Sequence, residues 1–489
     1  MKLRYSIILM ATLSAAVSCV QMTEDDLGGG QEQEKLPLSV TATIETGSQT
    51  KTALEGSLSD ASMRTVWMPS DNIGVVAVLP TMGENVAVEE FVTGISEKSN
   101  VASFEGSVTF ASEYYAFYPY SESLRNSNGT YIFTILQEQK YVAGSFDLKA
   151  APMVAKAPRE GDFDFQNLCG LLALQLTGSE SVKSITFIGK DAAGTMMPVS
   201  GTFSVDMTYT DEPVIMVSEP MTSVTLISDT PVQLSQQATP FYFVLPPATY
   251  NSFIIMIQTS DGNVMVKEAT KPLTIARSHI KPTAALQYAE NVYIDLSEEG
   301  WSNSYVVSNA GAYTFDASVI GNGKYGLSQE GDFHTDNTNI SPKSVELLWE
   351  EHKGMLTGLR LVDGKVKFLA TGQEGNALIA VKDSDGAILW SWHIWCTDKP
   401  KDQEYVNSVG TFIVQDRNLG ATRGDRGVND EWMESCGIDY LWGRKDPFVA
   451  YKHTQADLAQ MSETIKNPTV KSTSWDWNAL SSSWWSESH

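Results

Sequence analysis

Hydrophobic residues alternate with polar ones, or form short solid runs, along most of the chain from about Leu36 onward. Turn dipeptides interrupt these stretches, which is the pattern of antiparallel strands rather than of helices. Asp-Gly pairs at 261–262, 363–364 and 385–386 each separate two strand-like arms, so three β-hairpins are predicted there. The spacing predicts one helix, at 455–466, which ends before an Asn-Pro pair. The chain is therefore predicted to be all-β and built from β-sandwiches.

One predicted strand carries large side chains on both of its faces. Trp390, Trp392 and Ile394 alternate on one face, and His393 and Trp395 lie on the other. We predict that the first face belongs to a sandwich core and that the second packs on a neighbouring domain. In that position a histidine is expected to be a hydrogen-bonded structural residue rather than a ligand.

The alternative for this region is a surface that binds glycans. If Trp395, or the pair Trp484 and Trp485 near the end of the sequence, is exposed, its flat ring can stack on a sugar. These three residues are the candidate glycan contacts, and a host or microbial glycan or protein is the candidate partner.

Length and composition indicate several domains. The 489 residues are 42% hydrophobic, which is enough apolar material for roughly two to four packed domains. Eleven of the twelve Trp lie at or after Trp301, so the two parts of the chain differ in kind. The predicted segments are a leader at 1–18, a tether at 19–37, β-sandwiches at 38–160, 161–290 and 291–400, and a C-terminal domain at 401–489.

The charge of the chain excludes two classes of partner. There are 34 Lys and Arg against 59 Asp and Glu, which gives a formal net charge of −25, and no run of five basic residues occurs. Nucleic acids and anionic membrane surfaces both attract basic patches, so neither is expected to bind the folded body.

The first eighteen residues have the pattern of an export signal. Lys2 and Arg4 precede an apolar stretch that is too short for a membrane-spanning helix, and small residues come just before Cys19. This arrangement resembles the lipobox of bacterial lipoproteins, whose cysteine becomes the first residue and carries acyl chains. The resemblance implies that Cys19 is lipidated and holds the chain to a membrane. A secreted protein that merely has a cysteine here is the alternative.

The segment 19–37 contains an acidic cluster, a glycine triplet and almost nothing that could be buried, so a flexible tether is predicted. An acidic cluster close behind Cys19 resembles the surface-export signal of lipoproteins in Gram-negative anaerobes of the gut and mouth. It implies an outer-membrane lipoprotein exposed at the cell surface. An ordinary solvated linker is the other interpretation.

Several short stretches of the first two domains occur in an order typical of one family. Lys51, in a Thr-Lys-Thr triplet, is followed by Trp67 and Asp71, then by YYAFYPYS at 114–121 and APMVAKA at 151–157. The strand-like stretches NLCGLLALQLTG, VKSITFIG, VSGTFSVD and FYFVLPPATYNSFIIMIQTSDG come next. In this order they resemble the fimbrillin-like surface proteins. The resemblance implies tandem transthyretin-like β-sandwiches and a fimbrium-related role.

Two basic residues, Lys51 and Arg64, lie between the first predicted strands. Fimbrillins are typically cut by a trypsin-like protease after such a residue, and the lost strand leaves a groove for the strand of a neighbouring subunit. By this resemblance both residues are candidate cut sites, and other fimbrial subunits are candidate partners by strand donation. The alternative is that both are ordinary solvated side chains. The long Trp-rich extension after residue 290 favours a tip or accessory subunit over a repeating stalk subunit.

The last two predicted domains resemble modules that follow fimbrillin-like domains. The stretches at 292–323 and 375–398 resemble a β-sandwich attached behind such domains. VQDRNLGAT at 414–422 and YLWGRKDPF at 440–448 resemble the start of a paralogous surface domain of fibre-degrading bacteria, whose fold is related to that of C-type lectins. This resemblance implies a partial lectin-like α+β domain in the C-terminal part.

Motifs of catalysis and of metal binding are missing from the sequence. It contains no HExxH pattern, no GxSxG, no P-loop and no glycine-rich dinucleotide fingerprint between a predicted strand and a predicted helix. Asp332, Asp336 and Asn337 are oxygen donors, but their spacing fits no EF-hand loop and a turn-rich loop is predicted. We therefore expect no enzymatic activity, no metal and no cofactor.

Three cysteines remain if Cys19 is lipidated. Cys169 lies in an apolar run and is predicted to be a buried thiol. Cys396 and Cys436 are left as a candidate disulfide, and the sequence does not decide whether their geometry permits one.

Together these features predict a lipid-anchored, fimbrium-related surface protein that acts as a tip, an accessory subunit or an adhesin. Its expected location is the outer membrane, at the cell surface, or the fimbrium. The alternative is a surface glycan-binding lipoprotein of a nutrient-uptake system. Binding of a soluble polysaccharide that depends on the C-terminal Trp residues would distinguish the two.

Overall fold

The structure is a computed structural model. It describes residues 35–45, 54–55, 64–79, 86–127, 129–159, 161–323, 338–425, 432–440, 444–448, 454–456 and 461–472. The chain is 55% strand and 3% helix, which confirms the prediction of an all-β fold. Burial alternates along many of the strands, so their apolar side chains lie on one face and their polar side chains on the other.

The first twelve strands belong mainly to a closed barrel. They are β1 Lys35–Ile44, β2 Leu54–Glu55, β3 Arg64–Thr65, β4 Asn72–Ala77, β5 Glu89–Thr93, β6 Val101–Thr109, β7 Glu113–Tyr118, β8 Arg125–Ser127, β9 Thr130–Ile135, β10 Glu138–Lys140, β11 Met153–Pro158 and β12 Phe163–Asn167, with a 3-10 turn at Leu148–Ala150. The barrel order is β1-β12-β11-β7-β4-β5-β6. Strand β1 completes the ring, because it pairs parallel with β12 and antiparallel with β6.

The next twelve strands form a sandwich behind the barrel. They are β13 Gly170–Thr177, β14 Ser181–Lys190, β15 Ser200–Asp206, β16 Ile215–Met221, β17 Val224–Gln233, β18 Thr239–Leu245, β19 Ala248–Tyr250, β20 Ser252–Thr259, β21 Val264–Ala269, β22 Leu273–Ile275, β23 Ile280–Pro282 and β24 Leu286–Gln287. A sheet of order β10-β17-β14-β20-β21 shares its core with a sheet of order β18-β13-β23. Strands β8, β9, β15 and β16 form a further sheet.

The barrel and this second unit share buried side chains. Phe117 and Val154 of the barrel lie in the same apolar cluster as Tyr131 of β9 and as Ala173 and Val244 of the second unit. Because these side chains form one core, the second unit packs against the outer face of the barrel wall.

The third unit is a sandwich of two four-stranded sheets. Its strands are β25 Ile294–Asp295, β26 Ser304–Val307, β27 Gly311–Asp316, β28 Ser344–Glu350, β29 Leu356–Val362, β30 Lys365–Ala370, β31 Gly375–Lys382 and β32 Ile388–Cys396. The sheet orders are β25-β27-β30-β29 and β26-β32-β31-β28. Phe315, Phe368, Trp390 and Trp392 meet in the core between the sheets.

The C-terminal part contains short elements. They are β33 Asp402–Val406, β34 Thr411–Gln415, α1 Trp432–Cys436, β35 Asp439–Tyr440, β36 Pro447–Phe448, β37 Thr454–Ala456, α2 Met461–Lys466 and β38 Val470–Ser472. The predicted helix at 455–466 is wrong in its first part. Gln455 lies in β37, where parallel pairing with Lys471 of β38 takes the place of helical hydrogen bonds. The helix that the structure describes in this stretch is Met461–Lys466, and residues 457–460 lie outside the described part.

All three predicted Asp-Gly hairpins are confirmed. The pairs at 261–262, 363–364 and 385–386 connect β20 to β21, β29 to β30 and β31 to β32. Asp363 and Gly364 have φ angles of 50° and 77°. Two successive positive φ angles give a turn whose twist matches that of the flanking strands, which is why this dipeptide is so informative in a sequence.

Within the described part of the chain, no helix has the length and apolar character needed to cross a bilayer.

Candidate functional site

Strand β1 occupies a groove in the barrel wall. Residues 35–43 pair antiparallel with β6, and residues 42–44 pair parallel with β12. Removal of a strand in this position would leave N–H and C=O groups of both neighbours without partners. The place of β1 is therefore a groove that any extended segment of matching pattern could fill.

Trp67 forms the floor of this groove. Its ring is fully buried and makes edge-to-face contacts with Phe104 and Phe165, at centroid distances of 5.0 and 5.3 Å. The indole Nε1 donates a hydrogen bond of 3.1 Å to the backbone oxygen of Ala42, a buried residue of β1. Since this bond is made to the backbone, it anchors the strand without depending on the chemistry of its side chains.

Asp71 and Tyr118 fix the turn that positions Trp67. Asp71 Oδ2 accepts a hydrogen bond of 2.7 Å from the backbone N of Met68, and Oδ1 accepts one of 2.9 Å from the Tyr118 hydroxyl. Burial, together with the negative charge of Asp71, raises the pKa of Tyr118 well above its usual value, so the hydroxyl stays protonated as a donor. This pair gives a physical reason for the spacing between Trp67 and Asp71 in the sequence.

A cluster of polar groups holds the end of β1. Glu45, the residue after β1, accepts hydrogen bonds from Arg277 Nη1 at 2.7 Å on Oε1 and 2.9 Å on Oε2. Its Oε1 also accepts from the backbone N of Asn167 at 2.9 Å and from the hydroxyl of Ser278. We name Asn167, Arg277 and Ser278 the carboxylate clasp.

The clasp is largely shielded from water. The side chains of Glu45 and Arg277 are 15% and 14% exposed. Burial alone would raise the pKa of Glu45, but the hydrogen bonds from Arg277, Ser278 and Asn167 outweigh it and hold that pKa below its usual value. A carboxylate of this kind stabilises the fold above its unfolded-state pKa of about 4.3, and the contribution disappears as the pH falls through the lower folded-state pKa.

Ser278 adopts an unusual backbone conformation within the clasp. Its φ angle is 59°, in the left-handed region, which costs a residue other than glycine about 1–3 kcal/mol. Its hydroxyl is thereby placed against the Glu45 carboxylate. The backbone N of Ser278 donates to the carbonyl O of Cys169 at 3.0 Å, so the turn is tied to the second unit.

Of the residues predicted for anchoring and cleavage, only Arg64 falls in the described part of the chain. Cys19 and Lys51 lie outside it. Arg64 is in β3, and its backbone pairs with that of Glu55 in β2. It therefore stands between β1 and Trp67 in the sequence, and a cut after it would separate the strand from the groove floor.

The structure confirms that β32 has two buried faces. The face with Trp390 belongs to the sandwich core, and the opposite face packs on the C-terminal part. Trp395, on that second face, is 1% exposed, and its Nε1 donates to the backbone O of Ala421 at 3.1 Å. A sugar cannot reach a ring in this position, so the prediction of Trp395 as a glycan contact is wrong. Trp484 and Trp485 lie outside the described residues.

His393 shares the second face of β32 and is hydrogen-bonded through both ring nitrogens. Nε2 donates to Asn376 Oδ1 at 2.8 Å, and Nδ1 accepts from the Ser304 hydroxyl at 2.9 Å. The amide nitrogen of Asn376 donates to Glu351 and to the backbone O of Gly420, which fixes the orientation of that amide. Burial lowers the pKa of His393 to about 3, so the ring is neutral and structural, as the sequence predicted.

The cysteines are placed as follows. Cys169 is buried, as predicted, and burial raises the pKa of its thiol. Cys396 points into the core of the third unit, whereas Cys436 is exposed at the end of α1, and no disulfide joins them.

Among the residues that the structure describes, no group of three or more His, Cys, Asp or Glu side chains is arranged to hold a metal ion. Asp332, Asp336 and Asn337 lie outside that part.

A cleft of about 370 Å³ lies between the second and third units. Hydroxyl and amide side chains line much of it, among them Thr186, Thr225 and Gln258. The Thr186 and Thr225 hydroxyls are 2.8 Å apart and hydrogen-bond to each other. The described residues that line the cleft include no aromatic ring on which a sugar could stack.

Comparison with known proteins gives distant likenesses. No family model and no curated protein matches the chain. A proposed cell adhesion protein from Bacteroides uniformis is similar at 12% identity and a TM-score of 0.33, over 52% of this chain and 95% of that one. A fimbrial protein from Bacteroides ovatus is similar at 13% identity and a TM-score of 0.23, over 52% of this chain and 50% of that one. A fimbrial assembly protein from Parabacteroides distasonis is similar at 10% identity and a TM-score of 0.21, over 48% of this chain and 99% of that one. At such scores these likenesses do not identify the chain.

Sequence reasoning missed the carboxylate clasp. Glu45 and Arg277 are 232 positions apart, and neither belongs to a recognisable motif. The one local signal is that Glu45 directly follows the alternating apolar positions of β1. An acidic residue directly after the first predicted strand could have been marked as a candidate contact, but its partner could not.

Proposed function

We propose that this chain is an adhesive surface protein of the fimbrium-related class, whose uncleaved form is held to the outer membrane by lipid on Cys19. In this proposal the barrel accepts a strand from another subunit in place of β1. The observation that carries it is the position of β1, an early strand that lies between β6 and β12 and completes the barrel.

The groove has the properties that strand replacement needs. An incoming strand would regain the backbone hydrogen bonds of β6 and β12, which supply affinity in β-augmentation, and its alternate side chains would fill the apolar floor, which supplies specificity. Val40, Ala42 and Ile44 fill that floor in the structure and are each 6% exposed or less. The groove thus favours an extended segment with small and medium apolar residues at every second position.

The position of Arg64 supports a proteolytic step before replacement. A cut after Arg64 would detach β1 and β2 from the rest of the chain and leave Trp67 in place. A cut after Lys51 would detach β1 alone. A tip or accessory role is favoured over a stalk role, because a third sandwich and the C-terminal elements follow the two fimbrillin-like units.

We expect a double variant Arg64→Gln and Lys51→Gln to lose denaturant-resistant ladders in extracts of the cell surface. Without the cut, β1 stays in the groove and blocks an incoming strand. Lys149→Gln, at an exposed basic residue of the barrel region, is the matched control and should leave ladders intact. Gel electrophoresis after mild denaturation, combined with immunogold microscopy of intact cells, gives the readout. A single monomer band from wild-type cells would contradict strand replacement.

We expect Cys19→Ala, introduced into the uncleaved Lys51→Gln and Arg64→Gln variant, to move the protein out of the membrane fraction, because Cys19 and the folded body stay in one chain there. Several acyl chains, at about 0.8 kcal/mol per buried methylene, would hold the uncleaved parent without a spanning helix, and the Cys19→Ala variant has no attachment point. Cys436→Ala in the same uncleaved background, at an exposed cysteine, is the control and should fractionate like the uncleaved parent. Equal fractionation of the Cys19→Ala variant and its uncleaved parent would argue against the lipid anchor.

A further inference from the structure

The carboxylate clasp belongs to the part of the protein that would stay behind when β1 leaves. Asn167 ends β12, and Arg277 and Ser278 form the turn between β22 and β23. The backbone N of Ser278 donates to the carbonyl O of Cys169, and the backbone N of Leu171 donates to the carbonyl O of His279, so the turn is held on the second unit without help from β1. The clasp is therefore largely formed before a strand arrives, and little free energy is spent on ordering it.

A vacated clasp has the chemistry of a carboxylate-binding site. Arg277 supplies a positive charge, and the backbone N of Asn167 and the hydroxyl of Ser278 supply two more donors for the same oxygen. Charge-assisted bonds from a guanidinium favour a carboxylate over a neutral amide. Glu212, which lies 3.2 Å from Arg277 Nη2, is 71% exposed, so water screens its charge and it cannot replace a buried carboxylate.

The clasp also sets the register of the strand in the groove. The buried side chains of β1 are Val40, Ala42 and Ile44, and Glu45 follows the last of them directly. A slip by one residue would turn the apolar side chains outward and carry the acid away from Arg277. The groove and the clasp thus recognise the apolar side chains and the acidic side chain together, and only at a fixed spacing along the strand.

We propose that the clasp selects the strand that replaces β1. The selected segment carries apolar residues at alternate positions, with a small one in the middle, and an Asp or Glu directly after the last of them. This inference rests on the proposed strand replacement and adds a rule for the choice of partner. The apolar positions supply the contact area, and the acid supplies specificity and register.

The test uses the full chain with a cleavage sequence for a specific protease inserted after Gln49, so that cutting frees β1 without removing it. Two labelled peptides, the sequence of residues 35–45 and the same sequence with Glu45→Gln, then compete for the groove. The natural peptide is expected to bind about 10- to 100-fold more tightly, because the amide offers no charge to Arg277.

Variants of the receptor show whether the clasp causes this preference. Arg277→Ala is expected to bring the two peptides within about twofold of each other. Ser278→Gly removes the hydroxyl but suits the left-handed backbone, so it should fold like the parent and reduce the preference about threefold or more. Glu105→Gln, at an exposed position of β6 beside the groove, is the control and should leave the preference unchanged.

The outcomes separate this inference from the proposal on which it rests. A preference for the natural peptide that is lost in Arg277→Ala and reduced in Ser278→Gly supports carboxylate selection. Exchange of both peptides with equal affinity overturns carboxylate selection and leaves strand replacement standing. Failure of both peptides to exchange overturns strand replacement, and the selection rule with it.

Discussion

Replacement of Trp67 by alanine is expected to destabilise the barrel by about 3–5 kcal/mol, the range for deleting a large aromatic side chain from a packed core. The ring is fully buried and contacts Phe104, Tyr118 and Phe165 edge to face, at centroid distances of 5.0, 5.6 and 5.3 Å. Its loss should appear as faster hydrogen exchange of the amides of β1 and β6, while those of the third unit keep their protection.

The variant Trp67→Phe separates packing from hydrogen bonding. Phenylalanine keeps an aromatic ring but lacks the N–H group, so the buried carbonyl of Ala42 loses its donor at a cost of about 1–3 kcal/mol. Trp301 is 41% exposed, and Trp301→Phe should change stability by less than about 1 kcal/mol, which makes it the matched control. Unchanged exchange of β1 in Trp67→Ala would show that Trp67 is not the floor that holds the strand.

Acidification is expected to destabilise the third unit from about pH 6.5 downward. Burial lowers the pKa of His393 to about 3, whereas a histidine in an unfolded chain has a pKa of about 6.5. Between these values the unfolded chain binds a proton that the folded chain does not, so stability falls as the pH falls. The loss from this one group should be about 2 kcal/mol between pH 7 and pH 5, and about 4–5 kcal/mol by pH 3.

Urea unfolding of the third unit, followed by near-UV circular dichroism at pH 7 and pH 5, measures this loss. His393→Gln should be less stable at pH 7, because it breaks the bonds to Asn376 and Ser304, but should lack most of the decrease between the two pH values. His352→Gln, at an exposed histidine, should keep the decrease. An unchanged pH dependence in His393→Gln would refute the assignment.

Local structure was predictable because its causes are local. An Asp-Gly pair between strand-like arms favours a tight turn wherever it occurs, and the turn at Asp363 has the positive φ angles that this requires. Alternation along β32 likewise predicted that Trp390 and His393 lie on opposite faces, because successive side chains of a strand point in opposite directions. Both predictions need only a few neighbouring residues.

The groove and its clasp were beyond such reasoning. A sequence shows the period of a strand but not which edges meet, so the pairing of β1 with β12, about 120 residues later, carries no local signal. The same is true of Glu45 and Arg277. At Gln455 a local signal was present but misleading. The sequence pattern there is helical, yet the residue lies in β37 because that strand pairs with β38.

Trp67 also gives the barrel an optical signal of its own. The other eleven tryptophans lie at or after Trp301, so the first two units contain a single indole, and it is hydrogen-bonded to the backbone of β1. Departure of the strand would expose this indole to water and shift its emission to longer wavelength, while the downstream tryptophans keep their surroundings. Occupancy of the groove can thus be followed by intrinsic fluorescence, in real time and without any attached label.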